Sequence, residues 1–341
     1  MRFRQIDTVF LFGGQGVLAE VATRLKRTAR VAVCVYTCPR QLEERLSAGG
    51  ETLRDRLETA GLNYVSTTDI NAAPGFREKI TPASLGLGFG QAWSFDSDIL
   101  ARFDGQLLDF MGIRLPQYRG GAHYSWQILR GNRIGASNIQ LIDERTVQGV
   151  SDSGIVIKSR EYLFPVQARV PLDYYHFVET QDVAFVADFF AELMEGREFQ
   201  PRQLQEEFTL HFPRLNTTRQ GFIDWSWSTG DIERFICAFD EPYAGASTFL
   251  EGRRVRLRSC RVETNDGPFH PFQAGLIHKL SAGHVYVASL NGTLIVESLT
   301  DEAGNDLIPA LALGQRLHTP RSVLDEALAY SAEYTAKGSK G

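Results

Sequence analysis

Cysteine is scarce, four in 341 residues, too few for the disulfide framework that staples small secreted domains. Cys34 and Cys38 close an apolar run without the second pair that a structural zinc site requires, so they read as buried thiols. The seven histidines are scattered, and no metal is expected. No apolar run approaches the roughly 20 residues that span a bilayer, and residues 1–8 alternate charged and apolar side chains instead of forming a signal peptide. The expectation is a cytoplasmic chain with no membrane partner. Basic excess is missing too. Lys and Arg number 36 against 41 Asp and Glu, a net charge of −5, so no overall positive field draws the chain to nucleic acid, although a local basic patch stays open. What is present is ordinary: 43% hydrophobic and 23% charged residues, enough for a sizeable core, in a length that points to two domains.

Residues 8–12 form an apolar run ending in Gly13-Gly14-Gln15-Gly16, with Val17, Leu18, Val21, Ala22 and Leu25 following at helical spacing. The glycine spacing is not Gly-x-Gly-x-x-Gly, and Cys34 to Cys38 stand where a dinucleotide site places an acidic residue, so this is a tight strand-helix turn. Strands are expected at 31–36, 62–65 and 85–89 and helices at 41–59 and 98–103, an alternation that favours a parallel sheet. A helix from Tyr124, paired strands at 137–142 and 155–159, and a packed helix at 183–193 complete the first domain. Residues 195–207 are charged and Gln-rich without periodicity, which sets the expected boundaries at 1–205, 206–325 and a 326–341 tail, frayed from Ser331 onward. After a helix at 230–239, the short β-branched runs at 255–262, 274–280, 284–288 and 293–299 suggest a small barrel or sandwich.

The segment Leu115-Pro116-Gln117-Tyr118-Arg119-Gly120-Gly121-Ala122, followed by Trp126 and Gly131, resembles the Leu-Pro-x-Tyr-Arg-Gly hallmark of the folate-dependent formyltransferases. Gly88-Phe89-Gly90 and Ile99-Leu100 look like that family's folate-pocket strand and the helix start after it, and Asp152-Ser153-Gly154 looks like its Asp-Thr-Gly loop. Phe212-Pro213-Arg214, Gly221-Phe222-Ile223-Asp224-Trp225 and Pro242-Tyr243-Ala244-Gly245-Ala246 resemble the start of the C-terminal domain in its methionyl-tRNA and sugar-nucleotide branches. The resemblance runs from about residue 8 to about residue 299. It implies an α/β fold, a Rossmann-like parallel-sheet formyltransferase domain followed by a small β-rich, OB-like barrel. It also implies a transferase that takes a formyl group from 10-formyltetrahydrofolate, with Leu87, Gly88, Phe89, Tyr118 and Arg119 about the cofactor.

In that family an Asn and a His lie two residues apart on the strand entering the Leu-Pro turn, and an Asp follows on the loop. They stabilise the oxyanion as an amine attacks the formyl carbon, and they move protons to and from nitrogen. Counting back from Leu115-Pro116, the Asn falls on Asp109, the His on Met111 and a small hydroxyl residue on Ile113, leaving Asp152 alone of the three. Methionine handles no proton, and an ionised Asp109 opposes a developing oxyanion. The gap from Asp109 to Asp152 is also a few residues longer than in the family, with 144–150 the expected insertion. Three readings stay open. Catalysis is relocated to His123 or to Asp109 and Asp152 sharing a proton; formyl transfer runs on the proximity of two bound reactants; or the chain is a noncatalytic descendant that binds folate or a sugar nucleotide.

Other residues carry double readings. His123 also serves as a backbone hydrogen-bonding group, and Asp152 as the cap of its own turn. Arg254, Arg256 and Arg258 line one strand face, for phosphates or for solvent. Trp225 and Trp227 stack on a sugar or base, or pack; substrate contact is expected of Trp225 and Tyr243. A tRNA-binding relative needs a Lys- and Arg-rich loop at residues 41–58, where Arg45, Arg54 and Arg56 are diluted by five acidic residues. The segments Arg214-Leu215-Asn216-Thr217 and Pro242-Tyr243 look closer to the sugar-nucleotide branch. A small-molecule acceptor follows, a nucleotide-linked amino sugar of surface-polysaccharide biosynthesis rather than nucleic acid; a homodimer is neither required nor excluded.

Overall fold

The computed structural model describes residues 1–28, 31–46, 50–143, 154–331, 334–335 and 338–339. Met1–Arg119, Ile134–Leu163 and Phe177–His211 form one contact unit, and Gly120–Arg133, Phe164–His176 and Phe212–Gly341 form the other.

The first unit is built on β1 (Thr8–Gly13), β2 (Ala32–Thr37), β3 (Tyr64–Ser66), β4 (Ser84–Phe89), β5 (Leu107–Met111), β6 (Ile134–Leu141), β7 (Ile155–Leu163) and β8 (Arg202–Gln203). They lie in the order β3-β2-β1-β4-β5-β6-β7-β8. The first five are mutually parallel and β5 to β8 continue antiparallel. This is the expected Rossmann-like sheet, with the expected pair of strands beside it. Because both faces are covered, alternate residues of one strand enter different cores. Val9 and Leu11 of β1 join Leu85, Leu87 and Phe89 of β4 in one cluster, to which α1 (Gln15–Thr28) and the 177–194 part of a long helix add side chains. Phe10 and Phe12 join Tyr36, Phe76, Phe95 and Phe103 in the second cluster. Each of these rings, once buried, contributes roughly 1.5–3 kcal/mol.

Gly13-Gly14-Gln15-Gly16 forms the tight turn expected of it. The Gly14 N–H donates to the Phe89 carbonyl at 3.1 Å, tying the start of α1 to the end of β4. Two expectations need correction. The stretch 41–59 is not one helix: α2 (Pro39–Leu42) and α3 (Leu53–Thr59) are separate, and residues 47–49 lie outside the described residues. Thr52 starts the second afresh with a reciprocal capping box to Asp55. The helix expected at 183–193 begins twelve residues earlier, as the long helix Pro171–Met194. Short helices Phe76–Lys79 (α4) and Ser97–Phe103 (α5) precede β4 and β5, the latter capped by Asp96 accepting from the Ile99 N–H at 2.9 Å. Next come α6 (His123–Leu129) and the long helix, α7.

The second unit holds a curled antiparallel sheet of β9 (Ala246–Leu250), β10 (Arg253–Glu263), β11 (Ile277–Ser281), β12 (His284–Ser289), β13 (Gly292–Thr300) and β14 (Leu317–His318). Their order is β11-β12-β13-β10-β9-β14. Four of the six answer to expected strands; β9 and β14 do not. Short helix α8 (Thr217–Gln220), α9 (Thr229–Ala238) and α10 (Arg321–Ala329) complete it, α9 burying Ile232, Phe235 and Ile236. Of the segment expected to fray, residues 332–333, 336–337 and 340–341 lie outside the described residues, while Tyr334–Thr335 pairs with Gly338–Ser339.

Among the described residues, no cation pairs with the buried carboxyl of Asp182. Asp182 of α7 is 4% exposed, accepts a hydrogen bond from Ser137 Oγ at 2.6 Å, and its carboxyl is raised from 3.8 to about 7 by burial, the serine offsetting only part of this. Since the folded chain holds this proton up to about pH 7 and the unfolded chain loses it near 3.8, the penalty is absent below pH 4, grows with rising pH and is complete above 7. Asp182→Asn keeps the acceptor for Ser137, so it should raise unfolding free energy at pH 8 by an amount on the order of 2–4 kcal/mol and leave pH 4 stability unchanged. Urea denaturation at both pH values measures this; equal stability of wild type and variant at pH 8 would contradict the buried-charge account.

Candidate active site

The C-terminal edge of the parallel sheet holds the best-defined polar cluster of the first unit. Gly88 of β4 is in register with Phe12 of β1 on one side and Asp109 of β5 on the other, and Asp109 is in register with Gln140 of β6. Residues in register share a sheet face, so one row runs Tyr36, Phe12, Gly88, Asp109, Gln140, aromatic at one end and polar at the other. A Cβ on Gly88 would stand 2.1 Å from Gln91 Oε1 and 2.8 Å from Asp109 Oδ1. The glycine therefore lets two oxygen-bearing side chains converge on one point of the strand.

Several atoms about this row are buried without a partner: Gln91 Oε1, Trp93 Nε1 and Gln140 Oε1. A buried polar atom left unpaired costs about 1–3 kcal/mol, so each of the three calls for a partner, a water or a ligand. The set offers an indole donor and two amide oxygens, and either amide turned over presents an N–H instead. A flat heterocycle with alternating N–H and carbonyl groups, such as a pterin, matches such a set.

Around this cluster the expected residues fall as follows. Leu87 and Phe89 are fully buried and face the core away from the row, and the Phe89 carbonyl is taken by Gly14. The groups still open are thus side chains of Gln91, Trp93 and Gln140, which sequence reading passed over; the polar Gln91 directly after the glycine-rich strand end was a signal for that residue alone. Asp109 is 9% exposed. Met111, two residues on, packs beside Ile113, Leu115, Val156 and Leu204, so that position is apolar. Tyr118 and Arg119 are buried, the Tyr118 N–H donating to the Arg114 carbonyl at 2.9 Å after the cis Leu115-Pro116 bond. Asp152, with the expected insertion 144–150, lies outside the described residues. The described chain resumes at Gly154, where a Cβ would be 3.4 Å from Gln140 Oε1.

The second unit carries a separate cavity of about 260 Å³, lined by Ala122, Ser125, Asn216, Thr217, Phe239 and Tyr243 among others. Ser125 is anchored through its hydroxyl to the Ala238 carbonyl at 2.8 Å, and Asn216 caps α8. Tyr243 is thus placed on a cavity wall. Trp225 is not: it is 6% exposed, and its indole N–H donates to Thr248 Oγ1 at 2.9 Å. Arg254 is likewise spent, bonded to Ser247 Oγ and stacked 4.6 Å over Phe222, and Arg258 donates to the Tyr243 carbonyl. His123 opens α6 with Nδ1 buried and unpartnered; burial first, then the Arg214 charge, lowers it from 6.5 to about 4.

A Rossmann-like parallel sheet followed by a curled antiparallel sheet is consistent with the formyltransferase fold, and comparison with known proteins agrees. Residues 216–314 match the family model "Formyl transferase, C-terminal domain". Methionyl-tRNA formyltransferase of Agathobacter rectalis is 25% identical over 180 residues, covering 53% of this chain and 54% of that protein. The enzyme of the same name from Roseiflexus sp. is 32% identical over 152 residues, 43% of each chain. The chain thus spans about half the length of the curated relatives it matches. The structure of WlaRD, a sugar 3N-formyl transferase solved with dTDP and 5-N-formyl-THF, superposes with a TM-score of 0.60 over 86% of this chain and 97% of that one at 12% identity, a likeness of fold. Residues 216–314 thus carry a formyl transferase C-terminal domain, and the chain shares the fold of the formyltransferases.

The lowered pKa of His123 predicts a ring that stays neutral through the physiological range. In proton NMR, the imidazole signal lost in His123→Asn should titrate near pH 4 in the wild type and move toward 6.5 in Arg214→Gln; a wild-type midpoint near 6.5 would overturn this.

Proposed function

We propose that this chain is a folate-dependent N-formyltransferase that uses 10-formyltetrahydrofolate and formylates the amine of a small, nucleotide-linked amino sugar. The observation that carries the reading is the set of unpaired buried atoms of Gln91, Trp93 and Gln140 beside the Gly88 gap, which suits a pterin's donors and acceptors. The donor, when bound, supplies a formyl group on nitrogen that is open to attack by an amine. Gln91, Trp93 and Gln140 would hold the heterocycle, and buried Tyr118 and Arg119 would keep the turn after β5 in shape. Asp109 takes the part of proton acceptor from the incoming amine, with Asp152 as the second carboxyl. The acceptor is a small molecule because 36 basic residues against 41 acidic ones give no field for tRNA, and because a sugar N-formyltransferase shares the fold across nearly its full length. His123, lowered to about 4, is too weak a base to collect the amine proton at pH 7 and acts as a neutral hydrogen-bond acceptor.

The apolar surroundings of Met111 favour one rival, a noncatalytic chain that binds folate without consuming it. A turnover assay separates the two. Incubated with 10-formyltetrahydrofolate and a panel of nucleotide-linked amino sugars, the protein should give one product heavier by a formyl group, and Asp109→Asn and Asp152→Asn should each lower kcat by roughly 10²–10⁴-fold with KM for the donor little changed. Unchanged kcat would remove that carboxyl from the mechanism; folate binding with no formylated product from any acceptor would support the rival.

A further inference from the structure

Cys237 and Cys260 are 23 positions apart, yet α9 and β10 bring them to one spot: the Cys260 thiol points at the Glu233 carbonyl, one helical turn before Cys237, at 3.9 Å. Both are unbridged and buried, 5% and 2% exposed. Buried thiols are ordinarily inert packing; here a third side chain sets them apart. Nη2 of Arg169 lies 3.6 Å from Cys237 Sγ and donates to the Cys260 carbonyl at 2.6 Å and to Glu233 Oε1 at 2.7 Å. A guanidinium held against a thiol favours the thiolate. The two sulfurs are correspondingly unequal: the hydrogen bond from Cys260, and then the Arg169 charge, lower the Cys237 thiol, while Cys260 is pushed up. A nucleophilic sulfur beside a protonated partner is the arrangement of an attacking and a resolving cysteine. At Cys34 burial outweighs the charge of Lys79 and raises the thiol.

We propose that Cys237 and Cys260 form a reversible redox site, oxidised to a disulfide by hydroperoxides, with Cys237 attacking and Cys260 resolving. The Cys237 thiolate attacks one oxygen of hydrogen peroxide, the O–O bond breaks, and the departing hydroxide takes a proton to leave as water, giving a sulfenic acid. The Cys260 sulfur then attacks Cys237 Sγ, the S–O bond breaks, and the hydroxyl leaves as a second water with the Cys260 proton. Two thiols lose two electrons, and one peroxide becomes two waters. The new bond would fasten α9 to β10, and Phe239, directly after α9, is a wall of the cavity in the same unit. This site is independent of whether formyl transfer occurs.

The test uses the whole wild-type chain. After treatment with hydrogen peroxide, alkylation in denaturant and trypsin digestion, the peptide 235–253 should be found joined to the peptide 259–261, released by dithiothreitol, with Cys34 and Cys38 alkylated. Cys260→Ala should instead leave a Cys237 sulfenic acid that dimedone captures, and Arg169→Met should form the disulfide severalfold more slowly. Full alkylation of Cys237 and Cys260 after peroxide, a linkage to Cys34 or Cys38, or an unchanged rate in Arg169→Met would overturn the proposal.

Discussion

Two glycines on one face of β4 shape the sheet that everything else in the first unit leans on. At Gly86 a Cβ would meet Leu107 Cδ1 at 2.4 Å and Phe12 Cε2 at 3.0 Å; at Gly88 it would meet Gln91 and Asp109. The first missing side chain is filled by aromatic and aliphatic groups and closes the core. The second is filled by polar groups and opens a site. Moving two residues along one strand thus changes the neighbours from hydrocarbon to amide and carboxyl, and this places the ligand edge at the C-terminal ends of parallel strands, where open α/β sheets bind their ligands.

The hallmark turn and the strands of the parallel sheet were legible because each is local: apolar runs of strand length, punctuated by glycine, followed by helical spacing. The row from Phe12 through Gly88 and Asp109 to Gln140 was not, since it depends on the register of four strands far apart in sequence. Asp109 could be singled out by resemblance, whereas Gln140 and Trp93 could be found only once their unpaired atoms were seen. The helix over 41–59 failed for a physical reason, the fresh capping box at Thr52 that restarts the chain. The first turns of α7 were missed because Tyr, His, Gln and Asp among residues 171–182 blur the apolar period. Trp225 shows the opposite error: an aromatic that suggests stacking from its sequence neighbourhood is held inside by Thr248.

Electrostatics divide the titratable residues by role. Asp182 is costly to ionise because it is buried, the Ser137 hydrogen bond offsetting only part of this, and His123 is costly to protonate because of burial first and the Arg214 charge second. Neither is poised to exchange protons with a substrate at pH 7 from an exposed position. In the proposed reaction the carboxyl chemistry is therefore given to Asp109 and Asp152, while Met111 packs among apolar side chains. The same logic applied to sulfur separates Cys237, beside a guanidinium, from the thiols that merely fill space.

The central claim is that the Gly88 edge of the parallel sheet receives the folate. Calorimetric titration with 5-formyltetrahydrofolate tests it most directly, comparing the wild type with Gly88→Ala, whose added methyl must displace Gln91 and Asp109. The account predicts saturable binding to the wild type, weakened by about tenfold or more in a variant whose circular dichroism is unchanged, a loss of at least ~1.4 kcal/mol. No binding to the wild type, or equal affinity in both, would contradict it.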